Sequence, residues 1–338
     1  MKKFLAVTLL TIIFLSGCGK KDFKRTRILM GTVVEISVAE GDKKPEQIKR
    51  AVDKAFEEMD SINKLMSIYR TDSQLSEINR SGKGQMAVVS DELLEVIKKS
   101  IWISRLSSGA FDVTLGPVIE LWGFGQKGRI ENLPSLEQID KALSMVGYHS
   151  IIIDDEEKKI GFAKEGMRID LGAVAKGYAV DKAIKALKSE GINNALVNAG
   201  GDICCLGLNA KRMPWIIGIK DPRHFSRIIT TLKLENKACA TSGDYENFFL
   251  KDGKSFSHLI DPRTGRPVEN EIVSVTVLAS DCFEADGLAT AVFVLGKEKG
   301  LKLINSLAGA EAIIISREDD CLTAYFSRGL EKLRGLDE

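Results

Sequence analysis

Residues 170–208 read DLGAVAKGYAVDKAIKALKSEGINNALVNAGGDICCLGL, and the choice of fold turns on them. From 173 to 188 the stretch reads as one long helix, and Gly191 stops it. Strand-like runs follow directly at 195–198 and 203–208, separated by the glycine turn Asn198-Ala-Gly-Gly-Asp202. Upstream, helical patterns predominate. The run 45–66 places Ile48, Val52, Ala55, Phe56, Met59, Ile62 and Met66 on one face, 91–106 follows Ser90 as a candidate N-cap, and 135–146 is a third helix. An alternating strand at 32–38 and a hairpin over 150–154 and 159–162 interrupt them. Downstream the pattern shifts to strands at 215–219, 228–234 and 272–278. Helices at 284–295 and 299–307 precede two last strands, 311–316 and 322–326. Helices come mostly early and strands mostly late, with no sustained βαβ rhythm. The expectation is an α+β body with mixed or antiparallel sheets and packed helices, not a doubly wound sheet.

The chain has 338 residues, 44% hydrophobic and 28% charged, with 48 Lys+Arg against 47 Asp+Glu. That apolar content excludes intrinsic disorder, and the balanced charge excludes binding to nucleic acid through bulk charge. The first residues differ in kind. Lys2 and Lys3 precede an apolar run over 4–14, too short to span a bilayer, which ends in Leu15-Ser16-Gly17-Cys18. This reads as a lipoprotein signal peptide over 1–17, cleaved before a lipidated Cys18 and followed by a tether at 18–28 and a body at 29–332. Cleavage removes two lysines and turns the formal charge from +1 to −1. The expected location is a membrane, lipid-anchored, facing the periplasm or cell exterior. Five cysteines remain, none at zinc spacing, and adjacent Cys204 and Cys205 point to opposite faces of any strand that holds them.

Several segments could carry chemistry. Gly123-Phe-Gly-Gln-Lys-Gly128 matches a dinucleotide fingerprint in letters only, because no long helix can open at the following Arg-Ile-Glu-Asn-Leu-Pro. Asp170 and Lys176 flank a small-residue helix start suited to phosphate, although tight packing would also explain it. Ala240-Thr-Ser-Gly-Asp-Tyr-Glu246 reads as a polar loop. His258 is one of three histidines and opens a turn containing Asp261, Pro262, Arg263, Thr264 and Gly265. Asp286 and Thr290, four apart on a helix, project from one face as hard oxygen donors suited to Mg²⁺.

Taken in order, these segments resemble the FAD:protein FMN transferase family, the ApbE family once filed as thiamine-biosynthesis lipoproteins. The resemblance rests on Met30-Gly-Thr32, Ser67-Ile-Tyr-Arg70 with Ser73 and Asn79, Ser108 to Thr114, Asp170 to Tyr178, Asn198 to Asp202, Ala240 to Tyr245, His258 to Gly265 and Asp286 to Thr290. It implies an ApbE-like fold and a transferase that binds FAD and Mg²⁺ and moves FMN to a threonine of a target protein through a phosphoester, releasing AMP. It further implies that Met30, Tyr69, Ala110, Phe111, Asp112, Asp170, Lys176 and Ile260 contact the flavin nucleotide. Ala173 (through its carbonyl), Asp286 and Thr290 would ligate the metal, and His258 would be the catalytic base. Acceptors in such a family are subunits of membrane redox complexes. An Mg²⁺-dependent FAD pyrophosphatase yielding FMN and AMP, or a lipid-anchored protein that only holds FAD, are the alternatives left open.

Overall fold

Eight strands form one sheet whose spatial order follows the chain: Phe23–Leu29, Thr32–Val38, Ala195–Ala199, Asp202–Leu206, Lys237–Gly243, Ile272–Ala279, Glu311–Glu318 and Cys321–Phe326. Every ladder between neighbours is antiparallel. This computed structural model describes residues 22–334 except 40, 42, 127, 129, 225, 226 and 320. The signal peptide read at 1–17, and Cys18, therefore lie outside the described residues. The stretch read as tether runs into the first strand, so the sheet begins at Phe23, earlier than the expected body.

Helices Pro45–Met66, Ala175–Ser189 and Cys282–Leu295 cover one face of the sheet. Phe56, Met59, Ala179, Leu288 and Phe293 pack there against Val34, Ile36, Val197, Ala240, Val275 and Val277 in the main core. Each large side chain buried there contributes about 1.5–3 kcal/mol. The buried residues of the Pro45–Met66 helix include all seven of the apolar face read from its spacing. Ser90 caps Asp91–Leu106 by accepting from Leu93 N, and Ser135 closes a capping box on Leu136–Ser144.

The opposite face is only partly covered. A hairpin of Trp215–Lys220 and Ile228–Leu234 presses Trp215, Ile217 and Ile219 onto Ile203, Cys205, Cys239, Leu278 and Ile313. Cys204 belongs to the helix-side core and Cys205 to the hairpin side, as strand alternation requires. All five described cysteines are free. A third cluster joins helices Gly116–Leu121 and Leu136–Ser144 to the Phe248–Lys251 and Lys254–Ser257 hairpin through Val118, Trp122, Ile139 and Phe256. The segment expected as a polar loop from Ala240 is in its first part a central strand, Lys237–Gly243. Its small side chains admit the close approach of the Cys282–Leu295 helix. Among the described residues no helix is long and apolar enough to cross a membrane.

Candidate active site

A cleft of about 2090 Å³ runs along one end of the sheet. Met30, Tyr69, Ala110, Phe111, Asp112, Asp170, Ala173, Lys176, His258, Ile260, Asp286 and Thr290 all line it. Residues spread over 260 positions of sequence thus meet at one site, carried by separate elements. Met30 sits with Gly31 in the two-residue turn between the first two strands. Their φ values of 53° and 74° are those of a tight primed hairpin turn.

Asp286 is the charge centre. It lies on the Cys282–Leu295 helix, is 4% exposed, and its Oδ2 accepts from Gly177 N at 3.1 Å. The neighbouring helix must come very close for this. A Cβ on Gly177 would stand 2.4 Å from the Cys282 carbonyl oxygen, so only glycine fits. The first turn of the Ala175–Ser189 helix therefore spends one N–H on a protein carboxylate instead of a ligand. Lys176 pairs closely with fully buried Asp202 and lies 3.9 Å from Asp286 Oδ2. Burial opposes the lysine's charge, but the two carboxylates outweigh it and hold the ammonium well above its ordinary range. Burial, and then Asp202, push the Asp286 carboxyl well above the usual carboxylate range. Thr290, one turn along, shares a hydrogen bond with Ser242 at 3.2 Å.

His258 is fixed through its backbone and its ring. Its N–H donates to the Asn247 carbonyl at 2.9 Å, and Nδ1 lies 3.0 Å from that same oxygen. A carbonyl only accepts, so Nδ1 carries the proton and Nε2 keeps its lone pair. Burial lowers the imidazole's pKa below its ordinary value. The turn after it is held by Arg263, which bonds Asp261 at 2.8 and 2.7 Å, and by Trp122 Nε1 donating to the Gly265 carbonyl at 2.7 Å.

The remaining expected contacts differ in what they can offer. Tyr69 is 68% exposed, with its hydroxyl 3.5 Å from the Phe124 carbonyl, and presents a stacking surface. Phe111 is buried in the core and forms wall, not platform. Both Asp112 oxygens are engaged, by Thr114 N and Oγ1 at 2.8 and 2.6 Å and by Tyr148 N at 2.9 Å. Asp170 bonds Gly172 N at 2.7 Å and so shapes the turn before Ala173. Asn79 supports that segment by bonding both N and O of Ile169. Asp202 was not among the expected site residues. The carboxylate ending a Gly-Gly turn was its one signal. Among the described residues no group of three or more His, Cys, Asp or Glu forms a metal cage, so a cation here would depend on mixed oxygen donors.

The model of the ApbE family matches residues 30–314. The chain belongs to the ApbE family. It is similar to the FAD:protein FMN transferase of Vibrio cholerae, at 36% identity over 95% of this chain and 96% of that protein. It is likewise similar to the one from Haemophilus influenzae, at 33% identity over the whole of both. Among solved structures it resembles the flavin transferase ApbE of Vibrio cholerae, with a TM-score of 0.82, 34% identity, and 92% and 99% of the two chains covered. It also resembles the Pseudomonas stutzeri flavinyl transferase ApbE, with a TM-score of 0.83, 32% identity, and 93% and 97% covered. The α+β ApbE fold expected from sequence is the fold observed.

Proposed function

We propose that this flavin transferase of the ApbE family binds FAD with Mg²⁺ in the cleft and passes FMN to a threonine of an acceptor protein. The threonine Oγ would bond to the FMN phosphorus, the pyrophosphate P–O bond would break, and AMP would leave. The threonine proton would go to His258. The observation that supports this best is the meeting, in one cleft, of a histidine held with Nε2 unprotonated and the Asp286–Lys176 pair, which Asp202 backs from beneath the surface.

The donor chemistry fits Mg²⁺. A buried carboxylate whose charge its neighbours do not fully compensate, with a hydroxyl one helical turn away, is a hard oxygen set that leaves positions for phosphate oxygens. Asp286, Thr290 and the Ala173 carbonyl would hold the ion. When bound it would neutralise charge on the pyrophosphate oxygens. Lys176 adds a fixed positive charge beside it. Exposed Tyr69 offers a ring for the flat parts of the nucleotide, and Met30, Ala110, Phe111 and Ile260 would line their seats. Asp112 would act mainly by holding backbone in place, since both its oxygens are engaged, whereas Asp170 commits only Oδ1 to Gly172 N.

The acceptor would be a subunit of a membrane redox complex. Cys18 would carry the lipid that tethers the enzyme to the membrane, facing the periplasm or cell exterior, as supported by the signal-peptide pattern over 1–17. The test incubates the full chain in detergent with FAD, Mg²⁺ and a candidate acceptor subunit. Intact mass and in-gel flavin fluorescence report transfer. One FMN gained by the acceptor, and lost in His258→Ala, Asp286→Ala and an acceptor threonine-to-alanine variant, is the expected result. AMP release with no labelled acceptor would make the enzyme a pyrophosphatase, and bound FAD with neither product would reduce it to a carrier.

A further inference from the structure

The cleft is larger than its nucleotide needs. Ligand sites for small molecules occupy about 300–1,000 Å³, and this one extends to about 2090 Å³. The surplus lies away from Asp286, along the sheet face turned from the helices. There the hairpin of Trp215–Lys220 and Ile228–Leu234 covers the inner strands and reaches Leu196 on Ala195–Ala199, while Val33 near the start of Thr32–Val38 stays 57% exposed.

The two borders of this open shelf face the cleft differently. From the sheet, past the unbroken run 30–33 at the turn, alternate residues line it: Val33, Glu35 and Ser37 on one strand, Leu196 and Asn198 on the next. That is the period of side chains rising from a face. From the hairpin, all six consecutive residues of Trp215–Lys220 line it. Successive side chains point to opposite faces, so an unbroken run means that the strand's backbone edge faces the cleft. Trp215–Lys220 pairs only with Ile228–Leu234, and residues 216–220 make no other backbone hydrogen bond among the described residues. The edge is therefore open. Exposed apolar side chains line the same cleft: Ile216 is 63% exposed and Val33 is 57% exposed. Lys211 and Lys220 also line the cleft, and neither forms an ion pair with a described residue.

We propose that the acceptor polypeptide docks here as an added strand, pairing with the free edge of Trp215–Lys220 over the shelf of Thr32–Val38 and Ala195–Ala199. This rests on the flavin-transfer reading. The groove is continuous with the catalytic cleft, and transfer to a protein requires that a chain enter there. A free edge recognises main chain, while the shelf recognises alternate side chains. The unpaired lysines favour an acceptor segment with acidic residues beside its threonine, and predict weaker docking at high salt.

The test uses the full chain in detergent, FAD, Mg²⁺ and the acceptor subunit labelled in the assay above. Ile216→Asp and a Lys211→Glu/Lys220→Glu double variant each change exposed positions, with flavin fluorescence quenching by bound FAD as the check on folding. Both are expected to raise the acceptor KM about tenfold or more. In parallel, amide hydrogen exchange is followed with an acceptor whose threonine is replaced by alanine, so that it binds without being consumed. Exchange should slow within 216–220 and stay unchanged within 228–234. Unaltered acceptor KM in both variants, or unaltered exchange in 216–220 while labelling proceeds, overturns the docking proposal alone. Slowing of the same amides with rising enzyme concentration and no acceptor would assign the edge to a second copy and overturn it too. Failure of the unmodified chain to label any acceptor removes the flavin-transfer reading and the docking proposal together.

Discussion

Asp181 offers the sharpest quantitative test, because one side chain joins the two helices that build the charge centre. Its carboxylate accepts from Cys282 N at 2.8 Å and Phe283 N at 2.9 Å, capping from a distance the helix that carries Asp286. Asp281 caps the same turn locally through Glu284 N at 2.8 Å. Burial, opposed by those two N–H groups and reinforced by Asp281, pushes the Asp181 pKa from 3.8 up to about 7. A carboxyl whose pKa is higher folded than unfolded holds its proton more tightly in the native state. Its stabilising contribution is complete below pH 3.8 and is lost as pH rises through 7. At about 1.4 kcal/mol per unit, the loss is about 4 kcal/mol at most. Asp181→Asn has no charge to bury, but its NH2 replaces one of the two accepting oxygens, Oδ1 for Cys282 N or Oδ2 for Phe283 N. It should be about 1–3 kcal/mol less stable than the native chain near pH 4 and gain on it by about 3 kcal/mol between pH 4.5 and 8, whereas Asp181→Ala, which orphans two buried N–H groups, should lose about 2–4 kcal/mol at low pH. Urea unfolding of the three proteins from pH 4.5 to 8 reads this directly, with other titrations cancelling in the differences. If the difference between Asp181→Asn and the native chain does not move in favour of the variant between pH 4.5 and 8, the carboxyl is not raised in the folded state and the reasoning fails.

Three further outcomes are expected. His258→Ala should slow transfer about 10²–10⁴-fold with FAD still bound, and the acid limb of kcat/KM in the native enzyme should fall below pH 6.5, since burial lowers this imidazole from that value; a limb at or above 6.5 would count against His258 as the base. Lys176→Met leaves Asp202 and Asp286 buried without their cation and should cost about 3–5 kcal/mol at pH 8, shrinking at pH 5 as carboxyls take up protons; an unchanged urea midpoint would mean the pairing contributes nothing. Trp122→Phe strips the Gly265 carbonyl of its donor, costing about 1–3 kcal/mol, and should lower kcat for transfer more than it raises the KM for FAD, because Gly265 closes the turn that His258 opens; equal changes in both would refute a positioning role.

Local signals make much of this protein legible along the chain itself. Helical spacing identifies the buried face of Pro45–Met66, and Ser90 and Ser135 mark helix starts because their hydroxyls satisfy N–H groups that the helix leaves orphaned. The Lys237–Gly243 strand is hidden, since Ala, Cys, Thr and Ser are too small to write a period-two pattern. Only the neighbours on both sides make it central. Phe23–Leu29 is lost in a charged stretch because its apolar alternation is broken on both faces: Lys24 and Thr26 face water, while Arg25 and Arg27 turn inward and pair with Asp53 on the Pro45–Met66 helix.

The sequence alone determined the α+β class and most of the long helices and strands, which depend on spacing and residue chemistry written along the chain. The twelve body residues that meet at the cleft came through the resemblance that the ordered motifs carry. Only the tertiary structure decided that Asp202 pairs with Lys176, that Asp181 caps a helix a hundred residues away, that the Asn247 carbonyl sets the tautomer of His258, and that the cleft continues along a free strand edge. Each of these depends on which groups share a buried space and which backbone is left unpaired. No local pattern encodes that, because desolvation and hydrogen-bond partnership arise only when distant segments pack.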